Sequence, residues 1–212
     1  LAGASRVLFA WARNGHLFKI FGEVDPKSGV PRGALWLSLI LSIAWTLPSE
    51  FLVWGGLIGA VTSATVFTYM PGPVTLGAFR RHLPGMARPF RLPLASVLSP
   101  LAFVASTLLI YWSGWSVNEL LIPVFILAWL GYAIFAKKTA TSARDLKCSW
   151  WLLVYYVLIL AISYLGTFGG INAIGSPTDM ILAAVAALVC YYWGVATSLP
   201  VPEIKDHEEL AD

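Results

Sequence analysis

The chain has 212 residues, of which 58% are hydrophobic and only 12% are charged, and its mean hydropathy is +0.75. This composition excludes an ordinary soluble domain and predicts a membrane protein. The net charge of +3 includes no basic patch of the kind that binds nucleic acid, so we expect no nucleic-acid partner.

Residues 5–31 form a basic, amphipathic stretch that a long uncharged run follows directly. This order predicts the end of a helix, then a cytoplasmic loop, then the return of the chain into a bilayer. The chain opens at Leu1 with neither an initiator Met nor a charged targeting segment. We therefore expect this sequence to be the interior of a longer protein.

Six uncharged runs follow, and each is long enough, or nearly so, to cross a bilayer core of about 30 Å as a helix of roughly 20 residues. The runs are apolar on all sides, whereas transmembrane strands alternate polar and apolar residues. The sequence therefore predicts an all-α, polytopic membrane helix bundle with six transmembrane helices. The runs are residues 33–49, 51–79, 92–118, 120–136, 148–178 and 180–202.

The charges between the runs alternate in sign from one loop to the next. Glu50, Glu119 and Asp179 are the only charges between runs one and two, three and four, and five and six. Lys and Arg residues fill the loops of the other face, which the positive-inside rule places in the cytoplasm. Six spans then return both chain ends to the cytoplasm.

Small residues and prolines mark the second span. Gly55, Gly59 and Ser63 recur every four residues, a spacing that lets another helix approach closely, so packing is favoured over a substrate site. Residues 70–73, Met-Pro-Gly-Pro, predict a kink or a break. A structural kink is favoured because the prolines lie only a few residues before Arg80 and not at mid-depth.

The sequence also predicts the limits of the other spans. The first, residues 34–47, is short and is expected to borrow a turn from the loop before it. The third and fourth, residues 94–111 and 117–135, share a short link and should form an antiparallel hairpin. Residues 150–168 and 179–199 are the last two spans. The charged tail that follows is expected to be disordered.

Aromatic residues lie toward the ends of the spans, where an anchoring belt at the membrane interface is favoured over an aromatic ligand cage. They are Trp112, Trp115, Trp150, Trp151, Tyr155, Tyr156, Tyr191, Tyr192 and Trp193.

No catalytic, nucleotide-binding or metal-ligand pattern occurs, so we expect neither an enzyme nor a cofactor or metal site. No ionisable side chain falls at the centre of a span, so a proton-coupling carboxylate or lysine is not expected in this sequence. Hydroxyl groups within spans are expected to bond their own helix or a neighbour. Thr62, Ser63 and Thr65, beside the glycine seam, form the candidate substrate-binding cluster.

Two loop motifs carry a family resemblance. Ser5-Arg6, Ala12-Arg13-Asn14-Gly15 and Pro26-Lys27-Ser28-Gly29-Val30-Pro31 resemble the loop before the ninth span of permeases of the amino acid, polyamine and organocation superfamily. Asn14 departs from that pattern, which has an acid there. Residues 88–93, Arg-Pro-Phe-Arg-Leu-Pro, are similar to the loop between their tenth and eleventh spans. The motif residues are Ser5, Arg6, Arg13, Gly15, Pro26, Gly29, Pro31, Arg88, Pro89, Phe90, Arg91 and Pro93.

Gly72-Pro73-Val74 before an arginine pair looks like the prokaryotic, aspartate-permease-like branch of these permeases. The resemblance extends over residues 1–136 and implies the C-terminal part of a LeuT-like transporter fold. Residues 1–33 would be a helix end and loop, 34–136 four core helices, 137–199 two additional helices and 200–212 the tail. In this family the substrate is held by spans that would precede Leu1.

The resulting hypothesis is the C-terminal part of a secondary amino acid transporter in a bacterial or archaeal cytoplasmic membrane. The family implies proton symport or exchange. Its expected partners are an amino acid, the lipid bilayer and the missing N-terminal helices of the same protein. A non-transporting structural or assembly subunit is the alternative, because glycine seams and an absence of buried charge fit it equally well.

Overall fold

A computed structural model describes residues 2–13, 17–26, 28–46, 54–87, 89–136 and 142–199. Every regular element in these ranges is a helix. The elements are α1 (Ala2–Arg13), a 3-10 helix (Lys19–Gly22), α2 (Arg32–Thr46), α3 (Trp54–Tyr69), α4 (Pro71–His82), α5 (Ala95–Trp112), α6 (Trp115–Ala136), α7 (Ser142–Leu165) and α8 (Thr178–Thr197).

Four of the described helices are long and apolar enough to cross a membrane, and they lie in α5, α6, α7 and α8. Helix α2 is also apolar but shorter. Only 22 to 33% of the residues in each of the four spans are buried inside the chain. Their remaining apolar surface faces outward, as expected where lipid or further helices cover it. A helical membrane protein is therefore confirmed, while the number six stays a prediction.

The helices belong to two compact units, which divide after Ala60, Ile126 and Ala143. The first unit contains α1, the 3-10 helix and α2. The second contains α4, α5 and α8 with most of α3, α6 and α7. In the second unit α5 packs against both α4 and α8, and α4 also packs against α8.

Aromatic side chains fill the core of the second unit. The ring of Phe103 on α5 is fully buried and lies 5.3 Å from Tyr155, 5.9 Å from Tyr191 and 6.2 Å from Trp151, measured between centroids. Phe67 on α3 lies 4.8 Å from the ring of Phe125 on α6. Offset and edge contacts of this kind add about 0.5–1.5 kcal/mol per pair beyond the burial of area.

This core corrects the prediction of an aromatic belt. Trp151, Tyr155, Tyr156 and Tyr191 are each less than a tenth exposed, so they pack between helices and do not anchor the chain at the membrane interface. Trp112, Trp150 and Tyr192 are between 46% and 58% exposed, as interfacial anchors are expected to be.

The proline-rich segment separates α3 from α4 without unwinding the backbone at Met70. Met70 keeps helical angles, φ −54° and ψ −37°, and its N–H donates to the Val66 carbonyl at 2.9 Å. Pro71 then begins α4, where its missing N–H costs least. The predicted interruption of the helix is thus present, and Met70 keeps its backbone hydrogen bond, while the kink itself stays a prediction.

Two further boundaries differ from the sequence expectation. Helix α2 begins at Arg32, two residues before the predicted start, so the short first span does borrow residues from the loop. Helix α7 begins at Ser142, well before the predicted residue 150. Part of the basic loop is therefore helical, because its Lys and Arg residues are good helix formers.

Glycine allows α4 and α8 to approach closely. A Cβ atom at Gly77 would lie 2.7 Å from both Tyr191 Oη and Val195 Cγ2 on α8. Tyr191 is itself packed against Phe103, so its ring has little room to withdraw.

We therefore expect Gly77→Leu in the full-length protein to lower the free energy of unfolding by about 1–3 kcal/mol, the usual cost of overpacking. Thermal unfolding in detergent measures this as a lower melting temperature. Gly72→Leu is the matched control, because nothing lies within 4 Å of that position on the same helix. Equal melting temperatures for the two variants would contradict close packing at Gly77.

Candidate functional site

The three candidate substrate-binding hydroxyls do not share one surface. Ser63 is buried and donates to the Ser113 hydroxyl at 2.8 Å, which links α3 to the turn after α5. Thr62 and Thr65 are exposed on another face of α3, and Thr65 donates to the Val61 carbonyl at 2.8 Å. At 100° per residue, one helix cannot direct positions 62, 63 and 65 at a single ligand.

Most of the other span hydroxyls bond their own helix, as expected. Thr107 also lies within 3.0 Å of the Tyr155 hydroxyl, so it joins α5 to α7. These bonds confirm the structural interpretation of the single hydroxyls. The residues that donate to a carbonyl three or four positions back are Ser38, Ser42, Thr68, Ser106 and Thr107.

The first motif loop is organised by Asp25, a residue that the motif comparison did not single out. Its carboxylate accepts from the Ser28 N–H at 3.2 Å and the Ser28 hydroxyl at 2.5 Å, and pairs with Arg32 at 3.0 Å. Its backbone carbonyl accepts from Gly29, whose φ of +65° favours glycine. In the sequence, this turn is indicated by Asp25-Pro26 followed by Gly29.

The loop is also held close to the helix that follows it. A Cβ atom at Gly33 would lie 2.7 Å from the Ile20 carbonyl oxygen in the 3-10 helix. Pro31 leads directly into α2, and its carbonyl accepts from the Leu35 N–H at 3.1 Å. Gly29 and Pro31 therefore shape the chain where α2 begins, while Pro26 is exposed.

The remaining residues of the first motif lie on α1. Ser5 is buried and Arg6 is exposed. Arg13 lies in the last turn, with its guanidinium 5.8 Å from the centre of the Phe9 ring. A positive charge there also complements the negative end of the helix dipole. Gly15, expected as the helix cap, lies outside the described residues.

The second motif forms an exposed loop between α4 and α5. Phe90 is 74% exposed, and Pro89, Arg91 and Pro93 are exposed too. The loop is connected to α4 through its backbone, because the Leu92 carbonyl accepts from Arg80 Nη2 at 3.4 Å. Arg88 lies outside the described residues.

Asp179, the charge between the fifth and sixth uncharged runs, is completely buried at the start of α8. One carboxylate oxygen accepts from the Tyr111 hydroxyl at 2.5 Å, the Thr167 hydroxyl at 2.6 Å and the Thr167 N–H at 3.2 Å. The other accepts from the Met180 N–H at 2.7 Å. Charge-assisted bonds and the positive end of the helix dipole both favour the carboxylate there.

This cluster joins the end of α5, the loop after α7 and the start of α8 within the second unit. Asn118 reinforces it from α6, since its Nδ2 donates to the Ile110 carbonyl at 2.9 Å and to the Ser163 hydroxyl at 3.1 Å. Both Asp179 oxygens are occupied by donors of the chain itself. The cluster is therefore arranged to hold helix ends together and not to receive a substrate.

Among the described residues, no group of three His, Cys, Asp or Glu side chains could hold a metal ion. Cys148 and Cys190 are both free thiols.

Comparison with known proteins found two bacterial relatives, both from Bacillus subtilis (strain 168). The chain is 40% identical over 201 residues to the "Aspartate-proton symporter", which covers 92% of this chain and 38% of that protein. It is 32% identical over 213 residues to the "Glutamate/serine transporter AimA", covering 99% of this chain and 39% of that protein. The chain thus spans about two fifths of the length of these relatives.

No protein-family model matches the chain, and no solved structure matches it either. The apolar helices define a helical membrane protein, and both relatives are transporters and not enzymes. The chain is a relative of the aspartate-permease-like amino acid transporters, so the resemblance inferred from the two loop motifs is confirmed.

The match to the second relative extends beyond the residues that carried the resemblance. The sequence motifs supported it only as far as residue 136, with the last two helices assigned by hydropathy alone. A match over 99% of the chain includes α7 and α8. These helices are therefore shared with the relative and are not an unrelated addition.

Proposed function

We propose that this chain is the C-terminal part of a secondary active transporter that moves amino acids across a bacterial cytoplasmic membrane by proton symport or exchange. The observation that carries the proposal is the 40% identity to the aspartate-proton symporter over 92% of the chain. Both relatives are named for an acidic amino acid, so aspartate and glutamate are the first substrates to test.

Within such a transporter, these helices would serve as scaffold in a LeuT-like fold. The support is the packing of the second unit, where an aromatic core and close glycine contacts join α4, α5, α7 and α8. Buried charge in the described spans is confined to Asp179 at a helix end. Residues 34–136 would supply four helices of the permease core and residues 137–199 two more, with substrate and proton bound by the rest of the protein.

Uptake by the full-length protein in proteoliposomes tests the proposal. Labelled aspartate, glutamate and serine are supplied with and without an inward proton gradient, and again with unlabelled amino acid inside. Symport predicts uptake that the gradient drives and a protonophore abolishes, whereas exchange predicts dependence on the internal amino acid. No flux above that of empty liposomes under any condition would overturn the proposal and favour a structural subunit.

The proposed topology places both ends of the chain in the cytoplasm, and it makes a separate prediction. Gly85 lies in the exposed loop between α4 and α5, and Ala173 lies in the exposed loop between α7 and α8. In an otherwise cysteine-free protein, Ala173→Cys should react with a membrane-impermeant maleimide in whole cells. Gly85→Cys should react only after the cells are opened. Labelling of Gly85→Cys in intact cells would reverse the orientation.

A further inference from the structure

The second unit contains a cavity of about 610 Å³ between α4, α5 and α8, at the end where α4 stops and α5 starts. Among the described residues that line it, Arg80 on α4 is the only charged one. Leu76 and Val195 line it as apolar walls, and Tyr192, 58% exposed, stands on the side that faces outward. The cavity therefore combines one positive charge with an apolar, outward-facing wall.

No described acidic side chain neutralises Arg80. The only ion pair among the described residues joins Arg32 and Asp25. The guanidinium of Arg80 makes one long hydrogen bond, 3.4 Å to the Leu92 carbonyl, and its Nε is buried without a partner. A partly buried cation without an anion is unfavourable, so an anionic ligand would stabilise this site.

The start of α5 adds donors to the same cavity. Ala95 and Ser96, the first two residues of the helix, line it, and no side chain caps the helix at Leu94. The Ser96 hydroxyl and the first backbone N–H groups are thus suited to the oxygens of an anion beside Arg80.

We propose that this cavity binds the headgroup phosphate of an anionic phospholipid, with an acyl chain lying along the wall formed by Leu76, Val195 and Tyr192. A phospholipid uses both the charge and the apolar wall, whereas free phosphate uses the charge alone. Basic pockets between membrane helices on the cytoplasmic side bind anionic headgroups by the same chemistry. The site is independent of the substrate and of the mode of transport.

The test measures thermal unfolding of the full-length protein in a neutral detergent, with phosphatidylglycerol, phosphatidylcholine or inorganic phosphate added. Phosphatidylglycerol should raise the melting temperature, and the other two should not. Arg80→Gln should weaken the apparent affinity for phosphatidylglycerol about tenfold, as expected for a charge-assisted contact. Arg81→Gln is the matched control, since its exposed guanidinium bonds the Val195 carbonyl and lies outside the cavity lining.

Two outcomes would overturn the proposal. One is an unchanged response to phosphatidylglycerol in Arg80→Gln, and the other is equal stabilisation by inorganic phosphate, which would mean a site for free anions. If Arg80→Gln does not fold, Ser96→Trp fills the cavity while keeping the arginine. Native mass spectrometry should then show less retained phosphatidylglycerol than in the wild type, and equal retention would count against the lipid site.

Discussion

Replacing Gly170 with alanine is expected to destabilise the protein by about 3 kcal/mol, at the upper end of the usual cost of overpacking. The added Cβ would lie 2.3 Å from the Tyr164 carbonyl oxygen and 2.5 Å from that of Ser163. Both are backbone atoms at the end of α7, so neither can rotate away as a side chain would. The hydrogen bond from Ile171 N–H to the Tyr164 carbonyl, 2.8 Å long, would also be displaced.

The measurement is the melting temperature of the full-length Gly170→Ala protein in detergent. Gly175→Ala is the control in the same loop, because a Cβ at Gly175 has no neighbour within 4 Å. It should melt like the wild type or slightly higher, since alanine reduces the freedom of the unfolded chain. If both variants melt at the wild-type temperature, the described path of the loop between α7 and α8 is wrong.

Asp179→Ala is expected to cost about 3–5 kcal/mol, because removing one partner leaves buried polar groups without acceptors. The Tyr111 hydroxyl, the Thr167 hydroxyl and the Thr167 N–H would all lose the oxygen that they share. Asp179→Asn keeps one oxygen in place and should cost less. Glu119→Ala is the matched control, since Glu119 is an exposed acid on α6.

A double-mutant cycle then tests the bond itself. If Tyr111 acts through Asp179, the effects of Tyr111→Phe and Asp179→Ala on the melting temperature should not add, because each change removes the same bond. Additive effects would mean that Tyr111 stabilises α5 by packing alone. A loss for Asp179→Ala no larger than that for Glu119→Ala would show that the buried cluster is not a structural clamp.

The position of an aromatic residue along a span does not show whether its side chain is buried or faces outward. Tyr155 and Tyr192 both lie near span ends by sequence, and both fit an interfacial belt. In the structure Tyr155 is fully buried against Phe103, while Tyr192 faces outward. The difference depends on which face of α7 or α8 meets α5. Spans that are apolar on all sides carry no amphipathic pattern that would reveal that face.

The position of a residue in the sequence also does not show whether it belongs to a common site. Thr62, Ser63 and Thr65 are close together along the chain, but a helix separates neighbouring positions by 100°. Asp179 lies between two uncharged runs, at the start of the last predicted span, and this position does not reveal its burial. Asp179 is buried among donors from other parts of the chain, Tyr111 and Thr167. Contacts between residues so far apart in sequence leave no local pattern that could predict them.

The sequence by itself determined the membrane class, the approximate limits of the helices, the interruption between α3 and α4 and the family. Hydropathy, proline geometry and loop motifs are local properties, so each can be recognised in the sequence without knowing how the helices pack. Only the tertiary structure decided that Asp179 joins three helix ends, that four aromatic residues form a core, and that Arg80 lines a cavity without an acidic partner among the described residues. Those features depend on contacts between residues far apart in the chain, which similar apolar helices could make in many different ways.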